Sequence, residues 1–357
     1  MKREPLRPVC DEPLSRWTTL GLGGTAEYYL EAESTAELLE ILRWARREDH
    51  EPRVLGGGSN LVVDDDGVRG VVVRVASRGF EVVPASTGSA TVRVAAGEPW
   101  DGVVERAVGH GLVGLECLSG IPGTAGATPI QNVGAYGTEI SDLLSGVEVL
   151  DLRAFKLLRL HRHDCGFAYR SSRFRRQPGR FVVVSVELEL RRGGPSQVHY
   201  AELRRALDVR EARPEPHEVR AAVLELRRSK GMIEDPESPG SAGSFFVNPV
   251  VCSKRHAEVS EICGELAPGY PVGGDDVKIP AAWLVERAGF ARGMRRGAVG
   301  VSPHHALALV HYGGGNTAEL LALAREIRRT VTRRFGVILQ PEPVFWGFAS
   351  DDPLEDP

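Results

Sequence analysis

Three consecutive glycines, Gly56 to Gly58, lie between the short apolar runs Val54-Leu55 and Leu61-Val62-Val63, and Ser59-Asn60 follow them directly. A strand that meets such a run stops, turns tightly and resumes. Glycine has no Cβ, so the turn can take positive φ and bring bare backbone N–H groups against a ligand. Successive N–H groups pointing one way make a nest for anionic oxygens, and Ser59 and Asn60 add side-chain donors. A tight turn without a ligand is the alternative, preferable for a lone Gly-Gly. The full run between β-branched segments favours phosphate binding.

The kind of phosphate loop is constrained by what surrounds it. No Gly-x-x-x-x-Gly-Lys-Ser/Thr occurs at this site, so it is not a P-loop. The Gly-x-Gly-x-x-Gly spacing is also missing, and Leu61 to Asp65 read as a strand, whereas a Rossmann fingerprint needs strand, loop, helix. The expectation is a strand-to-strand cradle that relies on backbone amides without a helix dipole.

At 357 residues the chain is long enough for two or three domains at about 150 residues each. Its 42% apolar and 26% charged content fits a soluble globular protein with a sizeable core. The net charge of −4 gives no overall attraction to nucleic acid or anionic lipid. Met1 to Cys10 lacks an apolar segment of the secretory type, and no apolar stretch approaches the roughly 20 residues of a membrane span. The expectation is a cytoplasmic protein without nucleic-acid or membrane partners. Cys10, Cys117, Cys165, Cys252 and Cys263 are odd in number, scattered, and form no Cys-x-x-Cys, so neither a disulfide framework nor a zinc ribbon follows. His161-Arg162-His163-Asp164-Cys165 reads as a solvated strand end rather than a metal site, and no metal is expected.

Along the chain, residues 26–32 read as a strand and Ser34 with Glu37 as the capping box of a helix whose inner face is Leu38, Ile41, Leu42 and Ala45. Strands at 53–55 and 71–75 complete a small α/β lobe. Strands near 80–83 and 91–95, a helix from Trp100 to Gly109, and strands at 147–152, 156–161 and 181–190 make a strand-rich second lobe. Arg204 to Pro216 is a charged connector, followed by a helix from His217 to Arg228 and a Gly/Pro-rich stretch from Gly231 to Gly243. The last third holds helices near 254–266 and 280–288, a strand near 306–311, and a long helix. Asn316 caps that helix, with Leu320, Leu323, Ala324, Ile327, Val331 and Phe335 inward and Gly336 at its end. The expected division is 1–77, 78–215, 216–340, and a C-terminal strand with an acidic tail at 341–357.

A second loop, Leu118 to Gly137, consists almost wholly of small and turn-forming residues. Loops longer than about 12–15 residues inside a compact domain are usually functional or disordered, and Ile121, Ala127, Ile130 and Val133 anchor this one. Small residues let backbone approach a flat ring. Together the two loops point to a large ligand with a diphosphate and an aromatic end.

Both loops resemble those of the bacterial UDP-N-acetylenolpyruvoylglucosamine reductases. The likeness continues through Gly166-Phe167-Ala168-Tyr169-Arg170-Ser171-Ser172, Arg228-Ser229-Lys230, Ala242-Gly243-Ser244-Phe245-Phe246-Val247-Asn248-Pro249 and Leu339-Gln340-Pro341-Glu342. It implies an α+β fold: a two-lobed FAD-binding domain of the PCMH (vanillyl-alcohol-oxidase-like) type, with a C-terminal α+β substrate-binding domain. It implies NADPH-driven reduction of UDP-N-acetylglucosamine enolpyruvate to UDP-N-acetylmuramate in peptidoglycan synthesis, with hydride passing from flavin N5 to C3. FAD would be held by Leu55, Gly56, Gly57, Gly58, Ser59, Asn60 and Leu61 and by Ser119, Gly120, Ile121, Gly123, Thr124 and Ala127. Ser59-Asn60 stand where covalent flavoproteins often place His, which implies non-covalent FAD.

From the residues alone Ser244 is equally well a structural serine held at a turn beside Phe245 and Phe246. No triad-like His-Asp motif accompanies it, so a hydrolytic nucleophile is disfavoured. The resemblance implies that Ser244 donates the proton to C2. Arg170 is a planar fork able to bind a carboxylate bidentately, and Glu342 sits rigidly between two prolines. The resemblance makes these two partners in stabilising the enolate-like charge. It places Tyr136, Tyr169, Tyr200, Lys230, Asn248 and Tyr270 at substrate contacts, with Tyr200 as the tyrosine of the subclass whose loop covers the nucleotide. The chain departs from the family pattern at Val344, where an arginine is common, at Pro303-His304-His305, and at Gly231-Met232-Ile233-Glu234. Another flavin oxidase of the same fold, or a nucleotide-sugar binder without turnover, are the alternatives. The second has no need of a proton donor.

Overall fold

The computed structural model describes residues 6–85, 88–208, 213–233 and 238–355. Parts of the connector (209–212), of the Gly/Pro-rich stretch with Glu234 (234–237) and of the acidic tail (356–357) lie outside the described residues. The chain forms two compact units, each discontinuous in sequence. The first comprises residues 1–11, 27–57 and 70–233, and the second 12–26, 58–69 and 234–357. Residues 12–26 and 58–69, placed by their sequence order in a first lobe, thus belong with the C-terminal third.

In the first unit, the helix Thr35–Arg47 opens where Ser34 accepts the Glu37 N–H, and it buries Leu38, Ile41, Leu42 and Ala45. This is the amphipathic face expected of that spacing. The strand Pro52–Leu55 pairs in parallel with Val68–Val75, Val54 opposite Val73. A separate antiparallel sheet runs in the order Lys156–His161, Leu144–Asp151, Phe181–Arg192, Ser89–Ala95, Phe80–Pro84. Its alternating Ala90, Val92, Val94 and Val182, Val184, Val186 are buried with Trp100, Val103 and Val104 of the helix Trp100–Gly109. Arg204 and Arg205, at the start of the expected charged connector, form the last turn of a short helix, Ala201–Ala206. Leu203 anchors that helix, fully buried against Val219 and Val223 of the helix Pro216–Ser229. One buried leucine in six residues leaves no periodicity to read.

In the second unit, the strands Gly240–Ser244, Ala308–His311, Val299–Val301 and Arg295–Arg296 form one sheet, and Val250–Cys252, Asp276–Lys278 and Tyr270–Gly273 another. The helix Thr317–Phe335 packs its expected stripe into this core and ends on Gly336 at φ 64. Asn316 accepts the Glu319 N–H, and the Asp65 carboxylate accepts the N–H groups of Thr317 and Ala318 at 2.8 and 2.9 Å. A helix N-terminus leaves such donors open, and an acidic group there is favoured by the helix dipole. The strand Val344–Trp346 pairs in parallel with Leu61–Val63. Among the described residues, no helix is long and apolar enough to cross a membrane.

Candidate active site

The glycine loop needs its glycines first for packing. A Cβ on Gly57 would lie 2.6 Å from the Gly123 Cα, and one on Gly56 would lie 2.8 Å from the Thr124 hydroxyl. Within the first unit, therefore, the two small-residue loops meet backbone to backbone. Gly58, in the second unit, takes φ +64, and a Cβ there would fall 1.8 Å from the Trp17 carbonyl oxygen. Among the described residues, the N–H groups of Gly57, Gly58 and Ser59 donate no hydrogen bond to protein. Unpaired backbone donors of this kind fit an anionic group such as a diphosphate.

The second loop is pinned by charges that the motifs alone do not reveal. Asp101 accepts the Gly120 N–H at 2.6 Å and both arms of the Arg220 guanidinium at 2.6 and 2.8 Å. Buried Arg227 donates through Nε to the Gly120 carbonyl at 3.0 Å. Burial of the Asp101 carboxyl works to raise its pKa. The Arg220 and Gly120 hydrogen bonds, with the charges of Arg220 and Arg227, outweigh this and hold it below the usual carboxylate range. Burial lowers the pKa of the Arg227 guanidinium, against the opposing charges of Tyr136 and Asp101. Gly120 sits at φ +69, and a Cβ would press within 2.9 Å of Leu224 and 3.2 Å of Arg227. Ser119 is fully buried and its hydroxyl donates to the Glu116 carbonyl at 2.7 Å, so its side chain serves the loop itself. Gly123 accepts the Trp100 N–H, and Ala127 donates its N–H to Thr124. Ile121 packs on the main core.

Arg170 stands in the left-handed region at φ 49, as do Asn132 and Tyr136 in the loop beside it. That conformation costs a non-glycine residue about 1–2 kcal/mol, and such strain clusters at functional positions. Arg170 Nη2 donates to the Gly134 carbonyl at 2.9 Å, and its guanidinium carbon lies 5.4 Å from the Tyr169 ring centre. Asn132 holds this turn together. Its amide donates to Glu139 at 2.7 Å and to the Ala168 carbonyl at 3.2 Å, and its oxygen accepts the Ser141 N–H. Ser172 and Arg175 donate to the Ile130 carbonyl and the Gln131 side chain, fixing the other flank.

Tyr136, Tyr200 and Lys230 converge in the same unit. The two tyrosine rings meet edge to face at 5.6 Å, and the Lys230 ammonium lies 5.7 Å from the Tyr136 ring centre. Burial pushes the Tyr136 phenol up to about 12. Lys230 Nζ is held by Glu202 Oε2 at 2.6 Å.

In the second unit, Ser244 ends the strand Gly240–Ser244 opposite Ala308. Gly243 before it takes φ +73, while Phe245 and Phe246 after it are buried. The Phe245 carbonyl accepts the Glu342 N–H at 2.9 Å, Phe246 bridges Pro341, and the Gln340 carbonyl accepts the Val247 N–H. Main-chain pairing thus ties the segment that follows Ser244 to the one that bears Glu342. Asn60 joins them, since its side-chain amide donates to the Glu342 carbonyl and its own carbonyl accepts the Val344 N–H. Val344, where the family arginine is common, is a half-exposed strand residue opposite Leu61.

Asn248 uses its side-chain oxygen to accept the Ala281 N–H at 2.8 Å, capping the helix Ala281–Arg287. Tyr270 is exposed on the strand Tyr270–Gly273. His305 Nδ1 accepts the Leu307 N–H, and the Leu307 carbonyl accepts the Phe245 N–H, so this histidine shapes the turn that abuts Ser244's strand. His161 and His163 stack at 5.8 Å, and among the described residues no cluster of three metal-ligating side chains occurs.

Residues 26–157 match the family described as FAD binding domain, which covers both loops. The fold and the site therefore define an α+β protein built on an FAD-binding domain. Residues 235–346 match the family described as UDP-N-acetylenolpyruvoylglucosamine reductase, C-terminal domain, a span holding Ser244, Asn248, Tyr270 and Glu342. The UDP-N-acetylenolpyruvoylglucosamine reductase of Thermobifida fusca is 48% identical over 345 residues, covering 94% of this chain and 97% of that one. That of Salinispora arenicola is 47% identical over 350 residues, covering 95% and 96%. The solved structure of the reductase from Thermus caldophilus aligns with TM-score 0.65 at 26% identity, over 96% of this chain and 99% of that chain. The chain belongs to the UDP-N-acetylenolpyruvoylglucosamine reductase family.

Proposed function

We propose that this chain is an NADPH-dependent oxidoreductase that reduces UDP-N-acetylglucosamine enolpyruvate to UDP-N-acetylmuramate in peptidoglycan synthesis. Family membership over nearly the whole chain supports the reaction. The observation that carries the chemistry is the main-chain pairing of Phe245-Phe246 with Pro341-Glu342, which ties the segment that follows Ser244 to the one that bears Glu342.

FAD, when bound, would supply the hydride-transfer chemistry between NADPH and C3 of the enolpyruvyl group. The backbone donors of Gly57, Gly58 and Ser59 are suited to its diphosphate. Hydride arrival at C3 drives an electron pair toward C2 and the carboxylate. Arg170 and Glu342 offset that charge, and the Ser244 hydroxyl gives its proton to C2, completing the saturated lactyl ether. Lys230 takes the substrate's diphosphate, and Tyr136, Tyr169, Asn248 and Tyr270 complete its contacts. Tyr200, at the start of the helix Ala201–Ala206, is the nucleotide-covering tyrosine. The edge-to-face contact with Tyr136 supports that role. The substrate is a free UDP-sugar, and the enzyme works in the cytoplasm without nucleic-acid or membrane partners.

Purified protein should be yellow and release FAD on denaturation. NADPH oxidation should depend on added UDP-N-acetylglucosamine enolpyruvate. A colourless protein that takes up no FAD would overturn the assignment.

A further inference from the structure

Lys230 is already paired. Its ammonium lies 2.6 Å from Glu202 Oε2, with the lysine side chain 28% and the glutamate 32% exposed. An ion pair this open to water adds little to stability, and the helix carrying Glu202 has its own anchor in fully buried Leu203. The pair is therefore not needed to hold the fold. What it does is occupy a cation that also faces the Tyr136 ring.

Resting on the reading that Lys230 takes the substrate diphosphate, we infer that Glu202 is a built-in stand-in for phosphate. In the free enzyme its carboxylate holds Lys230, and an incoming diphosphate displaces it. Lys230 is thereby kept in place without leaving an unpaired ammonium beside the aromatic rings. Once phosphate oxygens sit on Lys230, the Glu202 carboxylate becomes a like charge next to them and is driven away. Glu202 lies two residues beyond Tyr200, on the helix that Tyr200 opens. Release of Glu202 therefore reaches Tyr200 through two residues of backbone. Diphosphate arrival and the setting of Tyr200 become one event, and Glu202 tunes affinity for phosphate-bearing ligands against those without phosphate.

The test is ligand titration of the FAD-loaded full-length protein with UDP and with uridine, followed by the flavin absorbance or by calorimetry. Glu202→Gln should tighten UDP by about two- to fivefold, the range a partly exposed ion pair carries, and leave uridine unchanged. The gain should shrink as ionic strength rises. Glu202→Asp, which keeps the charge, should retain near-wild-type affinity. Lys230→Gln should weaken UDP, and adding Glu202→Gln to it should bring no gain. If Lys230→Gln weakens UDP but Glu202→Gln fails to tighten it, or tightens it equally without Lys230, the stand-in is overturned and the phosphate role of Lys230 stands. If Lys230→Gln leaves UDP affinity unchanged, Lys230 does not hold the phosphate and both ideas fall.

Discussion

Asn60 and Glu342 are tied together across 282 residues of sequence, the Asn60 side-chain amide donating to the Glu342 main-chain carbonyl at 3.3 Å. The Asn60 carbonyl in turn accepts the Val344 N–H at 2.9 Å. The residue that closes the glycine loop and the carboxylate proposed for charge stabilisation thus share one sheet edge. On the proposed roles of these two residues, cofactor grip and substrate chemistry would share the same local backbone.

Ser244→Ala removes the proposed proton donor while leaving the strand pairing to Ala308 intact, because that pairing is made by backbone. Rapid-mixing measurements should show flavin reduction by NADPH nearly unchanged. Reduction of the enolpyruvyl substrate should slow by roughly 10²–10⁴, the usual weight of general acid catalysis. Equal loss in both half-reactions would make Ser244 a structural residue.

Gly57→Ala forces a methyl group against the Gly123 Cα at 2.6 Å. Overpacking of this kind costs about 1–3 kcal/mol, and FAD content of the purified protein should fall along with the unfolding temperature. Gly102→Ala is the contrasting case, since its Cβ would meet nothing within 4 Å in the helix Trp100–Gly109. There alanine should stabilise by up to about 1 kcal/mol. A neutral Gly57→Ala would show that the loops do not need their close approach.

Asp101 should make the Leu118–Gly137 loop acid-sensitive. Its pKa in the folded protein lies below the unfolded value of 3.8. The stabilisation is then complete above that value and drains away as pH falls through the lowered one. Unfolding followed between neutral pH and strong acid should show this loss in the wild type. Asp101→Asn should be less stable at neutral pH and lose less on acidification. A parallel pH dependence in both proteins would rule Asp101 out as its source.

The observed capping role of Asn248 and its proposed contact with the substrate separate by substitution. Asn248→Ala deprives the Ala281 N–H of its acceptor and should cost about 0.5–2 kcal/mol, as loss of a helix cap does. Asn248→Asp keeps an oxygen acceptor, so stability should be retained while the Michaelis constant for the UDP-sugar rises through the lost amide donor. Wild-type kinetics in Asn248→Asp would leave the residue only its capping role.

Much of the architecture is legible residue by residue. Ser34 with Glu37, Asn316 with Glu319, and Gly336 mark helix ends through contacts spanning three or four residues. The stripes of Leu38-Ile41-Leu42-Ala45 and Leu320 to Phe335 follow from helical spacing. The helix Ala201–Ala206 is not legible in the sequence, because six residues with one buried leucine carry no period. Asp101 gave no sign of its part, since its partners Gly120 and Arg220 lie 19 and 119 residues away. The same holds for Asp65, which caps a helix about 250 residues further on.

The glycine run was readable as a place where backbone must come close, because the absence of Cβ is a property of the residues themselves. Which backbone comes close could not be read there. Gly123 opposite Gly57, Trp17 against Gly58, and the pairing of Phe245 with Glu342 are contacts between distant segments. They arise only when the elements of each unit close on one another, as Phe245, Phe246 and Val62 do when they are buried in one core. Short-range sterics and hydrogen bonding write themselves into neighbouring letters, whereas long-range packing depends on all the elements at once.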